Sequence, residues 1–505
     1  MARDRAARRD RRAAAGPRQT PWRRLSNPYE PVRILSDDQV EAIHGASLRL
    51  LEEIGLDVWS ARALDALARA GADVDRTERR ARLDRGLIEE HVARVPPRFE
   101  LRARNPERTV GFGGRELVFA TVGGPAFASD LARGRRAGTF QDTCDFARLT
   151  HMLNVIHLGD TAVEPTDLAP ETRYLDVYRA FFELLDRPWT TWGMGSHQVE
   201  DALAMAGIVL GANTDELART PVVMTVINSN SPLRLDGPMG DGLVAMAEAG
   251  QPVIATPFTL AGAMSPVTLA GALAQQNAEA LAMIALAQSV RPGTPMVYGG
   301  FTSNVDMRTG APAFGTPEYV KAAFATGQLA RRYRVPWRSS NVNASNVVDA
   351  QAAYESEMAV WGAIMGGVNL LYQGAGWLEG GLTASFEKLI LDAEILQMMA
   401  EVLQPFAVDD QSLGVDAVAE VGPGGHFFGA AHTIERFGTA FYSPLLSDWR
   451  NFETWTEDGA RNTTERAHGI WHALLEAYEP PPIDAAILAE LDAFVARRKA
   501  AIAAA

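Results

Sequence analysis

From residue 117 to residue 403 the sequence alternates between two hydrophobic periods, and this alternation limits the fold more than any other feature. Strand-length runs fall at Leu117–Val122, Val155–Asp160, Thr190–Gly195, Val222–Ile227, Val253–Phe258, Met296–Gly300, Val335–Asn341 and Val368–Gln373. Helical patterns lie near 139–152, 171–186, 198–211, 237–249, 266–290, 316–333 and 349–365, and an eighth runs from about Phe386 to Leu403. Eight strands alternating with eight helices predict an α/β chain whose residues 116–404 form a (β/α)8 TIM barrel. A doubly wound open sheet is the alternative. No G-x-G-x-x-G follows the first strand, and Gly422–Gly429 (GPGGHFFG) comes far too late, with no flanking βαβ pattern.

Three regions flank the expected barrel. Residues 1–28 read as an Arg-rich leader: the first 24 hold nine Arg against two Asp, a net +7, so the overall −14 conceals −21 in the remainder. With no apolar core the leader is expected to be disordered. It lacks the hydrophobic segment of a secretory or twin-arginine signal, which predicts a cytoplasmic protein. The acidic body argues against nucleic acid as a partner. Residues 29–115 read as an N-terminal α+β extension. Within it, Ser36 to Gln39 forms a capping box ahead of a helix that Gly55 stops, and Phe99–Ala103 and Thr109–Phe112 look like short antiparallel strands. Residues 405–505 form a C-terminal extension with several aromatic residues and a final Ala-rich helix. The most apolar helix, Leu269–Val290, is interrupted by Gln275, Gln276, Asn277 and Glu279, and reads as buried rather than membrane-spanning. The single cysteine, Cys144, excludes an internal disulfide and a thiolate metal cluster.

In parallel α/β folds ligands gather at the carboxyl ends of the strands. Here those ends read TVGGPAF (121–127), TAVEP (161–165), TWGMGSHQ (191–198), INSNSP (227–232), TPFTLAGAMSP (256–266), GGFTSNVD (299–306), SNVNASN (340–346) and YQGAGWLEGG (372–381). They are rich in Gly, Ser, Thr, Asn and aromatic residues and poor in charge, which suits a pocket built from aromatic faces and neutral hydrogen bonds. Trp192, Phe258, Tyr298, Phe301, Trp337, Tyr372 and Trp377 are candidates for a cage around a quaternary ammonium. Each well-placed, desolvated ring is worth about 2 kcal/mol to a cation. Packing into the layers of the barrel is the alternative for each. Glu164 and Glu379 are the rim carboxylates, and Glu379 is preferred as a cation partner because it adjoins Trp377. His197 either serves the site or caps the helix that starts beside it.

Other chemistries lack their residues. The only lysines, Lys321, Lys388 and Lys499, lie on expected helices, which argues against Schiff-base chemistry at the strand ends. His468 and His472 lie four apart on a helix but have no third ligand in sight, so no metal site is expected.

Several long, ordered stretches carry a resemblance. GGFTSNVDMRTGAPAFGTPE (299–318), NVVDAQAAYES (346–356), GAGWLEGGLTASFEKLILDAEI (374–395) and VGPGGHFFGAAHT (421–433) resemble the trimethylamine methyltransferase family. The likeness runs from about residue 30 to the C-terminus. It implies a TIM barrel that moves a methyl group from a methylated amine to the Co(I) corrinoid (cobalamin) of a separate partner protein. Founding members carry pyrrolysine in a segment similar to Asn343–Ala352, near Asn346, where an ordinary residue stands here. This departure argues against trimethylamine and points to the branch that acts on quaternary amines such as glycine betaine, carnitine or proline betaine. Beyond that region the resemblance assigns no catalytic residue.

Chemistry agrees with that branch. A quaternary nitrogen departs as a neutral tertiary amine and needs no protonation, so the chain requires no general acid and no metal of its own. Its task is to position one methyl for in-line attack. A betaine carboxylate would need donors, and Arg338, Asn341, Asn343, Asn346 and His197 are candidates. Arg338 gives the strongest, bidentate anchor if it points inward. A salt bridge to the outer helices is its alternative. The expected function is methyl transfer from a quaternary amine to a corrinoid protein. Another methyl donor, such as a sulfonium, and a non-catalytic betaine-binding protein are the alternatives. The long apolar helices predict a homo-oligomer.

Overall fold

Seven parallel strands run through the centre of the computed structural model, which describes residues 17–504. They are β1 (Glu116–Thr121), β2 (Thr190–Thr191), β3 (Met224–Ser229), β4 (Val253–Pro257), β5 (Met296–Gly299), β6 (Trp337–Ser340) and β7 (Leu370–Ala375). In space the order is β1-β7-β6-β5-β4-β3-β2, with Leu25–Ser26 added antiparallel on the outer edge of β1. The result is a mixed α/β fold around a curled, mostly parallel eight-stranded sheet. The strand expected at Val155–Asp160 is reduced to two single parallel bridges, Ala120–Leu158 and Gly159–Trp189. A side chain interrupts the ladder there, because the amide of Phe119 donates to Nδ1 of His157 at 3.1 Å instead of to a carbonyl.

The eight expected helices are all present: α1 (Phe140–Met152), α2 (Arg173–Leu184), α3 (Ser196–Leu210), α4 (Gly237–Glu248), α5 (Leu269–Val290), α6 (Pro317–Tyr333), α7 (Ala350–Met365) and α8 (Phe386–Val402). Their starts follow from local chemistry. Thr139, Asp236, Thr268, Thr316, Asp349 and Ser385 each accept an otherwise unpaired amide of the first turn. Helix α5 is buried along nearly its whole length, as its composition predicted. Its interior polar residues are all engaged. Glu279 accepts from the hydroxyls of Ser229 and Ser231 and from the amide of Leu233, and the amide of Asn277 reaches Ser47 and Tyr333.

Side-chain alternation along the strands divides the core in two. Val118, Ala120, Leu158, Met224, Ile254, Val297, Leu370 and Tyr372 form one cluster inside the curl of the sheet. Leu101, Val110 and Phe112 close its base. They belong to the antiparallel pair 99–101 and 110–112, so the N-terminal extension plugs the lower end. Residues of the opposite parity face the helices and join the larger outer core.

The N-terminal helix Asp37–Arg49 has the expected Ser36–Gln39 capping box, continues as a π turn, and stops at Gly55, whose φ is 80°. Of the leader, residues 1–16 lie outside the described residues. The disorder expected over 1–28 does not extend to 17–28. Leu25 is buried against β1, and Thr20 and Arg23 bond to Gln397 and Glu401 of α8. In the C-terminal region the helix Thr463–Glu476 packs on α8 and α1, and Ala485–Ala503 packs on α2 and α3. Among the described residues no helix is long and apolar enough to cross a membrane.

Candidate active site at the strand ends

A cavity of about 810 Å³ opens at the carboxyl ends of the strands. Thr191, Val226, Asn228, Thr256, Arg338 and Tyr372 line it, directly above the apolar cluster inside the sheet, to which Tyr372 also belongs. The loops after the strands supply Trp192, Phe258, Phe301 and Trp377. Five of the seven aromatic cage candidates therefore reach the cavity. Phe301 is the hub of one wall, 4.9 Å from Phe258 and 6.1 Å from Trp377 between ring centroids. Trp192 stands apart, against Tyr174 and Tyr178, with the guanidinium of Arg173 5.6 Å from its ring.

Tyr298 and Trp337 are corrections, and strand parity is the reason. Val297 faces into the curl, so its neighbour Tyr298 faces out, where its hydroxyl donates to Asn277 of α5 at 2.8 Å. Arg338 faces in, so Trp337 faces out and its indole N–H donates to the carbonyl of Gly367 at 2.7 Å. In a regular stretch of strand successive side chains point to opposite faces, so Val297 and Tyr298, or Trp337 and Arg338, cannot both face the cavity.

Arg338 is the most consequential of the inward residues. It is 2% exposed, and its guanidinium makes no hydrogen bond and no ion pair among the described residues. Nε and Nη1 are buried and unpartnered. Its neighbours are ring faces, Phe301 at 4.9 Å and Tyr372 at 5.1 Å from the guanidinium carbon. Burial pushes its pKa down to about 10, which still leaves it cationic at neutral pH. Leaving a buried cation without an anion costs several kcal/mol. The expected alternative, a salt bridge to the outer helices, does not form.

Two carboxyls share the cavity, and each already has a partner. Asp160 accepts from the hydroxyl of Tyr372 and from the amide of Thr161. Burial, reinforced by Glu164, pushes its pKa up to about 7 against the pull of its hydrogen bonds. Glu164, raised by burial, pairs with Arg173 at 2.9 Å. Gly123 accommodates this floor, since a Cβ there would lie 2.3 Å from the Asp160 carboxyl. Gln373 holds Gly123 from both sides, accepting from its amide at 2.8 Å and donating to its carbonyl at 3.2 Å. It does so with φ at 57°, an uncommon value for a residue with a side chain.

The remaining candidates lie outside the cavity lining. Glu379 is paired with Arg135 at 2.8 Å and is not available to a cation. Asn341 and Asn343 are buried ties: their amides donate to the carbonyls of Gly374 and Trp377, both at 2.9 Å. Asn343 thereby holds the backbone of a cavity residue rather than a ligand. Asn346 is exposed in the loop ahead of α7. His197 lies in the first turn of α3 with its ring 5.8 Å from Tyr174, and makes no cap hydrogen bond. His468 bonds Glu387 at 2.7 Å, and no group of three metal-ligating side chains occurs among the described residues. Sequence reasoning missed Asp160, Arg173 and Gln373. Asp160 carried a usable signal, because it is an acid at the carboxyl end of an expected strand.

A model of the trimethylamine methyltransferase (MTTB) family matches residues 1–503. The chain is 39% identical over 467 residues to a glycine betaine methyltransferase of Desulfitobacterium hafniense (strain Y51), covering 92% of this chain and 97% of that one. It is 29% identical over 462 residues to the trimethylamine methyltransferase MttB of Desulfitobacterium hafniense (strain DSM 10664 / DCB-2), covering 91% and 92% of the two chains. The fold is similar to that in a crystal structure of the hydroxylamine MtmB complex, with a TM-score of 0.50 and 10% identity over 91% of this chain and 89% of that one. The chain belongs to the trimethylamine methyltransferase family.

Proposed function

We propose that this protein transfers a methyl group from a carboxylated quaternary amine of the glycine betaine kind to the Co(I) corrinoid of a separate protein. The observation that carries the reading is Arg338, a buried cation with no anion of its own, in a cavity walled by aromatic faces. A cavity meant for a bare cation would gain nothing from an unpaired guanidinium at its floor. One meant for a zwitterion needs both parts. The carboxylate would take the unpaired guanidinium of Arg338 in a charge-assisted contact. That contact would turn the trimethylammonium group toward the rings and the mouth. The similarity to a glycine betaine methyltransferase supports the same substrate class.

In the same reading the curled sheet is a (β/α)8 barrel whose second stave is the bridged segment Leu158–Gly159. The corrinoid supplies the nucleophile, so the chain's own residues have only to bind, orient and exclude water. Met194 and Leu382 fit an apolar corrinoid face. Both line the mouth, both are more than half exposed, and Gly380 and Gly381 between the walls add no bulk. Neither Asp160 nor Glu164 has to donate a proton, because the leaving amine is neutral. Co(I) survives only in a reducing compartment, which favours the cytoplasm as its location. Methyl transfer to added Co(I) cobalamin from glycine betaine, carnitine, proline betaine, choline and trimethylamine tests the proposal. Turnover of a carboxylated quaternary amine supports it. Binding of a betaine without turnover of any donor would make the protein a binder instead.

A further inference from the structure

The C-terminal region contains a segment that its own chain leaves uncovered. Residues 405–441 leave the end of α8 and return at Tyr442, whose hydroxyl bonds Glu394 of the same helix. Between those points, hydrogen bonds among the described residues stay within the segment. Yet its side chains are those of a core. Phe406, Phe428, Phe437 and Phe441 are between 79% and 88% exposed. This arm contains the VGPGGHFFGAAHT stretch that the cavity does not use. Helix α7, which packs against α8, presents Tyr354, Met358 and Trp361 on its outer face, spaced four and three residues apart and all exposed. Helices α7 and α8 pack side by side, so arm and stripe share one flank of the molecule.

We infer that this flank is an interface between two copies of the chain, the arm of each lying on the α7 stripe of the other. Three observations select a second copy over other occupants. Both halves of a self-complementary apolar contact occur on one chain, which is what a twofold interface requires. The area is also right. At roughly 150 Å² for each large side chain, four phenylalanines and the three stripe residues cover on the order of 1,000 Å² per copy. Doubled, that reaches the 2,000 Å² or so at which obligate homodimers begin. Finally, the arm carries Asp409, Asp410, Asp416, Glu420 and Glu435 against one arginine, Arg436, which disfavours an anionic lipid surface. An arm this apolar needs permanent cover, whereas a corrinoid protein must come and go with each methyl group.

Sedimentation of the full chain from nanomolar to micromolar concentration tests the inference. The wild type should sediment as a dimer or a higher even oligomer. Phe428→Ser combined with Phe437→Ser and Phe441→Ser should halve the particle mass, and so should Met358→Glu. All four side chains are exposed, so near-UV circular dichroism of the body should be unchanged. A second measurement does not depend on dissociation. Phe428→Cys in one copy and Met358→Cys in another should cross-link through a short bismaleimide. The native Cys144 is buried, with its thiol pushed up to about 11, and will not compete. A wild type that is monomeric at every concentration overturns the inference, even if it captures a corrinoid protein through the same flank. So do variants that keep the wild-type mass, or cysteine pairs that link only within one chain.

Discussion

The guanidinium of Arg338 lies 5.1 Å from the ring centroid of Tyr372, inside a cavity in which it pairs with no carboxylate. The two acids within reach of that cavity are spoken for, Asp160 by the Tyr372 hydroxyl and Glu164 by Arg173. The floor therefore presents one unanswered positive charge beside a ring, and substrate recognition is read from that.

Replacing Arg338 separates binding from stability. Loss of a charged hydrogen-bonded anchor costs about 3 kcal/mol, which corresponds to roughly a 100-fold fall in kcat/KM for glycine betaine in Arg338→Met. The same change removes an uncompensated buried charge, so the unfolding temperature should hold or rise. Steady-state kinetics together with thermal unfolding checks both directions. A destabilised variant with unaltered kinetics would make Arg338 structural.

Asp160 predicts a pH dependence with a defined sign. Its carboxyl ordinarily titrates near 3.8 and is pushed up to about 7 in the folded chain. Between those values the native state binds more protons than the unfolded chain, so this residue's contribution to stability falls as pH rises, by at most about 1.4 kcal/mol per pH unit. It is fully present below the unfolded value and lost as pH climbs through the folded one. Denaturant unfolding from pH 4 to pH 8 should show a downward slope that Asp160→Asn flattens.

The two tryptophans that parity separates should behave oppositely. Trp377→Leu removes a cavity ring worth about 2 kcal/mol to a bound cation, which raises KM roughly 30-fold. Trp337→Phe removes the bond to the Gly367 carbonyl and some outer-core volume, costing on the order of 1–3 kcal/mol of stability with KM unchanged. Donor titrations and unfolding curves on the pair distinguish the roles.

Glu379→Gln should leave KM for a quaternary amine within about twofold, because Glu379 is paired with Arg135 and lies off the cavity. A tenfold rise in KM would return Glu379 to the binding site.

Much of this was legible in the sequence. The helices α1–α8 were set by periodicity and by capping residues such as Thr139, Thr316 and Ser385. Strand ends pointed to the rim where the cavity opens, and Arg338 was among its candidates. What was hidden is what periodicity does not encode. Which of two adjacent residues faces inward depends on strand register, so Tyr298 and Trp337 were placed in the cavity alongside residues of the opposite parity. The segment 155–160 has strand composition, but His157 captures the amide that a ladder would use. Glu379 stood beside Trp377 in sequence, yet a positive φ of 52° directs it to Arg135, a partner 244 residues away. Gln373 and Arg173 carried no pattern of their own, and became visible only once folding gathered the loops around them.

The most direct test of the account compares glycine betaine with choline as methyl donors to Co(I) cobalamin. The two share a trimethylammonium group and differ in whether a carboxylate is present. Glycine betaine should turn over, choline should be at least about 100-fold poorer, and that preference should be lost in Arg338→Met. Equal use of both donors by the wild-type protein, or turnover of trimethylamine, would contradict it.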